Sequence, residues 1–373
     1  MSAKQVAEAV PSMRQTAAVR AWLWVMAALV FAMIIVGGAT RLTDSGLSIT
    51  EWKPLLGAIP PLNEADWHAA FEKYRQIPQY QQVNKGMSLA EFQFIYWWEW
   101  AHRFLGRFIG VVFALPLVYF WARGYLRKGL PLKLSGLLLL GGLQGGIGWY
   151  MVMSGLVDRI DVSQYRLALH LTVAMLILAL IAWIAFDLKQ DEEGADPLLR
   201  TATSGQKKLA VGLVALILLQ TVLGGFVAGL NAGLTYNTWP LMDGQLIPNG
   251  LGSLQPWYLN LFENITTVQF NHRLVAYIIC ALAVVQAVWV MRTSDDDRLA
   301  RSAVILMVAV FIQAALGIWT LLAVVPLSLG LAHQGWAAVL LVIAVWHTHL
   351  MTRAPSPMGV PAARGYSARP SIS

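Results

Sequence analysis

Cysteine is almost missing from this chain: there is one, Cys280. A single thiol closes no intrachain disulfide and builds no thiolate metal cluster, which excludes a disulfide scaffold and a zinc module. Cys280 reads as a small packed apolar residue. Charge is scarce too. Asp, Glu, Lys and Arg make up 13% of the residues, against roughly 25% in an ordinary soluble domain. The net charge of +7 invites a nucleic-acid reading, but the basic residues do not gather in one soluble segment, so no footprint for a polyanion is expected.

What replaces charge is long apolar runs. Hydrophobic residues reach 57% and the mean hydropathy is +0.57. Segments 21–40, 134–153, 167–186 and 209–230 contain no Asp, Glu, Lys or Arg. At about 1.5 Å per residue each crosses a hydrocarbon core of about 30 Å. Four more candidates lie at 97–121, 266–291, 302–325 and 329–351. An all-α integral membrane protein with eight transmembrane helices is predicted.

The cations set an orientation. Lys4, Arg14 and Arg20 precede the first span; Arg123, Arg127, Lys128 and Lys133 follow the second; Arg292, Arg298 and Arg301 follow the sixth; Arg353, Arg364 and Arg369 end the chain. Segment 230–263 has no Lys or Arg and 323–328 no charge. The positive-inside rule puts both termini in the cytoplasm. The first apolar run has span length and no small-residue cleavage site, and the N-terminal tail is no Arg/Ser-rich presequence, which favours a bacterial inner membrane. The expected organisation is a cytoplasmic tail 1–20, a first four-helix half 21–190 with a long outer loop 41–92, a linker 191–208, a second half 209–351, and a disordered tail 352–373.

The halves echo each other. Ser45-Gly-Leu-Ser…Trp52-Lys-Pro after span one answers Ala232-Gly-Leu-Thr…Trp239-Pro after span five. Glu99-Trp-Ala-His102-Arg103 answers Gln269-Phe-Asn-His272-Arg273, and Gln144-Gly-Gly-Ile-Gly148 answers Gln313-Ala-Ala-Leu-Gly317. His170 and His333 open spans four and eight. Four spans per half is an even number, so two tandem four-helix bundles of the same orientation are expected, a parallel pseudo-two-fold repeat rather than an inverted one.

Four of the seven histidines thus occupy repeat positions, at similar depth near the outer surface. Two imidazoles on neighbouring helices at equal depth can face each other across a flat ring, as axial ligands of a heme iron. One intramembrane histidine is ordinarily a helix–helix hydrogen-bonder; four at duplicated positions favour heme. The pairs are His102 with His170 and His272 with His333, all four candidate iron ligands. Arg103, Arg166 and Arg273 sit beside them and are candidates to bind propionates; as single residues they read equally well as snorkelling anchors. His68, His347 and His349 read as interfacial or solvated. Gln144, Gln220 and Gln313 read as interhelical hydrogen-bonders.

Glu99 precedes His102 by three positions and so shares its helix face, where the second half has Gln269. A carboxyl beside an apolar pocket suits proton-transfer chemistry; an exposed first-turn glutamate on the helix dipole is the alternative. A purely electron-carrying pair of hemes needs no carboxylate in one half alone.

These residues resemble the heme A synthase family in its mitochondrial and alphaproteobacterial form. The likeness runs from about Gly37 to Trp346. Its specific segments are Gly37-Gly-Ala-Thr-Arg-Leu-Thr-Asp-Ser-Gly-Leu-Ser, Glu51-Trp-Lys-Pro, Glu99-Trp-Ala-His-Arg, Phe270-Asn-His-Arg and His333-Gln-Gly. The resemblance implies oxidation of the C8 methyl group of heme O to a formyl group, giving heme A for cytochrome oxidase. It implies substrate at His102 and His170, a heme b cofactor at His272 and His333, and a functional Glu99. The outer-loop cysteine pair of some relatives is absent, so no disulfide-dependent step applies. Heme O synthase, cytochrome oxidase assembly factors and membrane lipid are the implied partners, and homo-oligomerisation is left open. The rival readings are a diheme, quinone-linked electron-transfer protein and a non-catalytic heme carrier.

Overall fold

A computed structural model describes residues 11–53, 56–157, 159–193 and 202–352. Among these residues ten α-helices form: α1 (Met13–Leu42), α2 (Glu64–Tyr74), α3 (Pro78–Gln82), α4 (Leu89–Ala122), α5 (Leu130–Met153), α6 (Gln164–Glu193), α7 (Ser204–Gly229), α8 (Ile265–Thr293), α9 (Asp297–Leu322) and α10 (Leu327–Thr352). All but α2 and α3 are long and apolar enough to cross a membrane, which gives the eight expected spans of a multi-pass membrane protein. The disorder expected of 352–373 falls, beyond Thr352, outside the described residues.

Local chemistry sets the helix ends. Ser12, Ser88 and Thr203 each cap a helix in a reciprocal box with Gln15, Glu91 and Gln206, satisfying first-turn N–H groups that have no intrahelical partner. The caps also lengthen the spans. The second starts at Leu89 rather than 97, so α4 projects about two turns beyond the bilayer-sized segment. Pro116 inside α4 cannot donate to the Val112 carbonyl; the Trp22 indole N–H donates to that oxygen instead, at 3.0 Å. In hydrocarbon such a freed carbonyl needs a protein partner.

Four helices, α1, α6, α7 and α10, pack on one another at the centre. Their contact is close because small residues line it. A Cβ at Gly225 would lie 2.7 Å from the Ala168 backbone, and one at Gly229 would lie 2.6 Å from that of Gln164. Such approach replaces the hydrophobic drive that lipid removes. The other spans lie outside this group and turn apolar side chains such as Leu115, Val118, Leu139 and Val308 outward. Polar ties stitch α1 to the later helices: Arg41 donates to the Ala228 carbonyl and to Asn231, and Gln334 donates to the Ile34 carbonyl.

The loop expected at 41–92 is largely structured. Its helix α2 starts behind Asn63, whose side chain accepts from the Asp66 N–H. Helices α2 and α3 pack onto the projecting start of α4 through Phe71, Tyr74, Tyr80, Phe92 and Tyr96. Burial pushes the Tyr74 phenol up to about 12; its oxygen accepts from Asn84 and its O–H donates to Gln79.

Candidate functional site

The four repeat histidines lie on α4, α6, α8 and α10. Each is backed by a glycine of the span before it. A Cβ at Gly37 would stand 3.1 Å from His102 Nε2; one at Gly148, 2.9 Å from His170 Cε1; one at Gly224, 3.3 Å from His272 Cε1; one at Gly317, 2.8 Å from His333 Cε1. At Gly148 and Gly317 any side chain would have to displace the ring. The four glycines are therefore seats for imidazoles.

His102 and His170 face each other with ring centroids 6.3 Å apart and planes at 79°. Two imidazoles each about 2 Å from a shared metal through one nitrogen put their ring centres about 6 Å apart. Nδ1 of His170 and Nδ1 of His272 are buried with no hydrogen-bond partner in the protein, a state that costs about 1–3 kcal/mol when nothing answers it. Paired imidazoles in glycine seats, with ring nitrogens unspent, fit axial ligation of a heme. Among the described residues no cluster of three or more His, Cys, Asp or Glu forms an ion site.

Glu99 lies well past the first turn of α4 and is 2% exposed, which overturns the reading as an exposed first-turn residue. Its Oε2 accepts from Ser48 Oγ and from the Ile49 N–H, both at 2.7 Å; its Oε1 accepts from Arg103 Nε at 3.0 Å and Nη2 at 2.6 Å. Arg103 also donates to the carbonyls of Glu51 and Ile49, at 3.0 and 2.7 Å. Segment 45–53 is thus a strap fastened across α4. Arg107 holds it further on through the Lys53 carbonyl, and Trp52 packs on Trp149 with centroids 5.0 Å apart.

The second half has the same fastening. Arg273 donates to the carbonyls of Thr238 and Tyr236, at 3.0 and 2.7 Å, and to Gln269 Oε1 at 3.2 Å. Gln269 Nε2 donates to the carbonyls of Ala232 and Thr235, at 2.8 and 2.6 Å. Arg103 and Arg273 are each bonded to two strap carbonyls and to the side chain one turn before. Arg103 keeps one Nη1 hydrogen for another acceptor; Arg273 keeps its buried Nε, which has no partner in the protein. Arg166 lies against Tyr150, its guanidinium 3.7 Å from the ring centroid and its Nη1 donating to the Tyr150 carbonyl.

The straps are what sequence reasoning missed about the arginines. The matching Ser45…Trp52 and Ala232…Trp239 segments were the available signal. His347 and His349, expected at an interface or in solvent, are instead buried. His347 sits between Gln286 and Ser302, at 3.0 and 2.8 Å, and His349 is 2.8 Å from Asp187. Only His68 is exposed, near Glu64 on α2.

These features define a multi-pass helical membrane protein with four glycine-backed histidines and two arginine-pinned straps. A family model described as cytochrome oxidase assembly protein matches residues 20–345. The chain is 55% identical over 329 residues to the heme A synthases of Brucella ovis and Brucella abortus, covering 88% of this chain and 90% of theirs. It is 54% identical to that of Chelativorans sp. over the same shares. The chain belongs to the cytochrome oxidase assembly protein family.

Proposed function

We propose that this chain is a heme A synthase that oxidises the C8 methyl group of heme O to a formyl group. The observation that carries the reading is the pair of like sites with one titratable difference: Glu99 beside His102, and Gln269 beside His272. Heme O, the substrate, would bind between His102 and His170, whose ring spacing suits an iron between them. Heme b, the resident cofactor, would be held by His272 and His333, and when bound it supplies one-electron transfer. Arg103, Arg166 and Arg273 would offer their remaining donors to propionates.

The conversion of methyl to aldehyde removes four electrons and takes its oxygen from water. Two electrons and a proton leave the methyl carbon, and water adds to give the alcohol with loss of a second proton. A second round gives a gem-diol, which loses water to the aldehyde. Glu99 would receive these protons. Arg103 on one oxygen and Ser48 on the other orient its carboxylate. The acceptor of the electrons is outside the chain.

The duplicated contacts support a tandem pair of four-helix bundles, and the distribution of Lys and Arg supports cytoplasmic termini, with the histidine pairs toward the outer face of a bacterial inner membrane. Coexpression with a heme O source, followed by pigment extraction, tests the activity. A formyl heme, recognised by mass and by its pyridine hemochrome spectrum, is expected. Extracts containing heme O and heme b alone would leave the electron-carrier or heme-carrier reading.

A further inference from the structure

Three of the four histidine seats share one pattern on the span that carries the glycine. Gln144 precedes Gly148 by four residues, Gln220 precedes Gly224, and Gln313 precedes Gly317, so glutamine and glycine stand one turn apart on one helix face. Each glutamine reaches the histidine that its glycine seats. Gln144 Nε2 donates to the His170 carbonyl at 2.8 Å, Gln220 Nε2 to the His272 carbonyl at 2.8 Å, and Gln313 Nε2 to the His333 carbonyl at 3.1 Å. In the fourth seat the residue four before Gly37 is Met33. Its Cε lies 3.5 Å from where a Cβ of Gly106 would be, one turn beyond His102. A thioether is only a weak acceptor and donates nothing.

The glutamine oxygens complete the picture. Oε1 of Gln144, Gln220 and Gln313 are all buried without a hydrogen-bond partner, and so are Nδ1 of His170 and His272. The Gln313 amide nitrogen is already 3.2 Å from Nδ1 of His333. Two of the three orphan acceptors, on Gln144 and Gln220, therefore belong to residues that clasp histidines whose Nδ1 is also without a partner. A histidine that binds metal through one nitrogen donates from the other to a fixed partner, which sets its tautomer and strengthens it as a ligand.

We infer that Gln144, Gln220 and Gln313 are positioning residues for His170, His272 and His333, and that Met33 leaves His102 the one iron ligand without such a clasp. Each glutamine holds its histidine by the main-chain carbonyl, and Gln313 also reaches the ring, its amide nitrogen 3.2 Å from His333 Nδ1. The second site has two clasped ligands and retains its heme. The first has one clasped ligand and one that can let go, as a site that must load and discharge its porphyrin requires. That last consequence rests on the assignment of the first pair to substrate; the ligand asymmetry does not.

Carbon monoxide binding to the reduced, heme b-loaded protein in detergent reads the asymmetry directly, because a six-coordinate heme binds the gas only when a ligand leaves. The unsubstituted protein is expected to show one fast-binding heme population. Met33→Gln should slow that phase about 10-fold or more, the scale of losing or gaining a partner of a metal ligand. Gln220→Met should add a second fast population. Unchanged kinetics in Met33→Gln overturns the inference, and that variant decides alone if Gln220→Met fails to hold heme. The readout needs no heme A formation. A slowed phase in Met33→Gln with no formyl heme from the unsubstituted protein would sink the proposed function and leave the clasp standing.

Discussion

Around Glu99 the chain presents donors, Ser48 Oγ and the Ile49 N–H; around Gln269 it presents acceptors, the carbonyls of Ala232 and Thr235. The main-chain fastening of the two straps is shared. An arginine one turn on pins the strap by carbonyls at matching positions, and a tryptophan follows, Trp52 or Trp239. The difference teaches that the charge at Glu99 is not needed to fasten a strap, since a neutral amide does the same task in the other half.

The largest effect is expected from making the first half like the second. Glu99→Gln should retain heme yet lower heme A formation about 100-fold or more, the scale of a lost proton-transfer group. Heme A measured against total extracted heme checks it, and an undiminished ratio would end the proposed role. Next come the ring seats. Gly148→Ala and Gly317→Ala put a Cβ 2.9 and 2.8 Å from an imidazole carbon and should cost about 1–3 kcal/mol in overpacking. Heme retained through gel filtration should fall more than in Gly224→Ala, where the approach is 3.3 Å. Equal losses at all three would mean the rings are not seated by these glycines.

The reverse exchange, Gln269→Glu, sets a carboxylate against two carbonyls and should destabilise that strap by about 1–3 kcal/mol, visible as a lower thermal midpoint without new heme A chemistry. The smallest effect concerns pH. Hydrogen bonds from Lys73 and Lys53 hold the Glu51 carboxyl below its ordinary 4.5. Its folded value is below its unfolded one, so its stabilisation is fully present above pH 4.5 and is lost as pH falls through the folded value. Proteolysis of the 45–53 strap should rise over that window. The strap at 235–239, with Thr238 in the place of Glu51, should show no matching change.

Much of this was readable from the chain alone. Eight apolar runs, His102, His170, His272 and His333 at duplicated places, and the exchange of Glu99 for Gln269 are one-dimensional facts. The arginines were harder. Beside a heme ligand an arginine suggests propionates, but nothing local reveals that Ile49 and Glu51 return to offer it their carbonyls. His347 and His349 were misjudged for a related reason: the end of a span reads as interface unless its neighbours are known to cover it, here with Gln286, Ser302 and Asp187.

Sequence by itself determined the class, the span count, the four histidines and the single titratable difference between the halves, because membrane thickness and ligand chemistry act on residue type and spacing. Tertiary structure decided that α1, α6, α7 and α10 lie inside, that four glycines seat four rings, and that three glutamines clasp three histidines while Met33 leaves His102 without one. A span that is apolar all round does not encode which face turns inward, since lipid is as apolar as a protein core. Only packing picks the face, and with it the partner of every polar group inside.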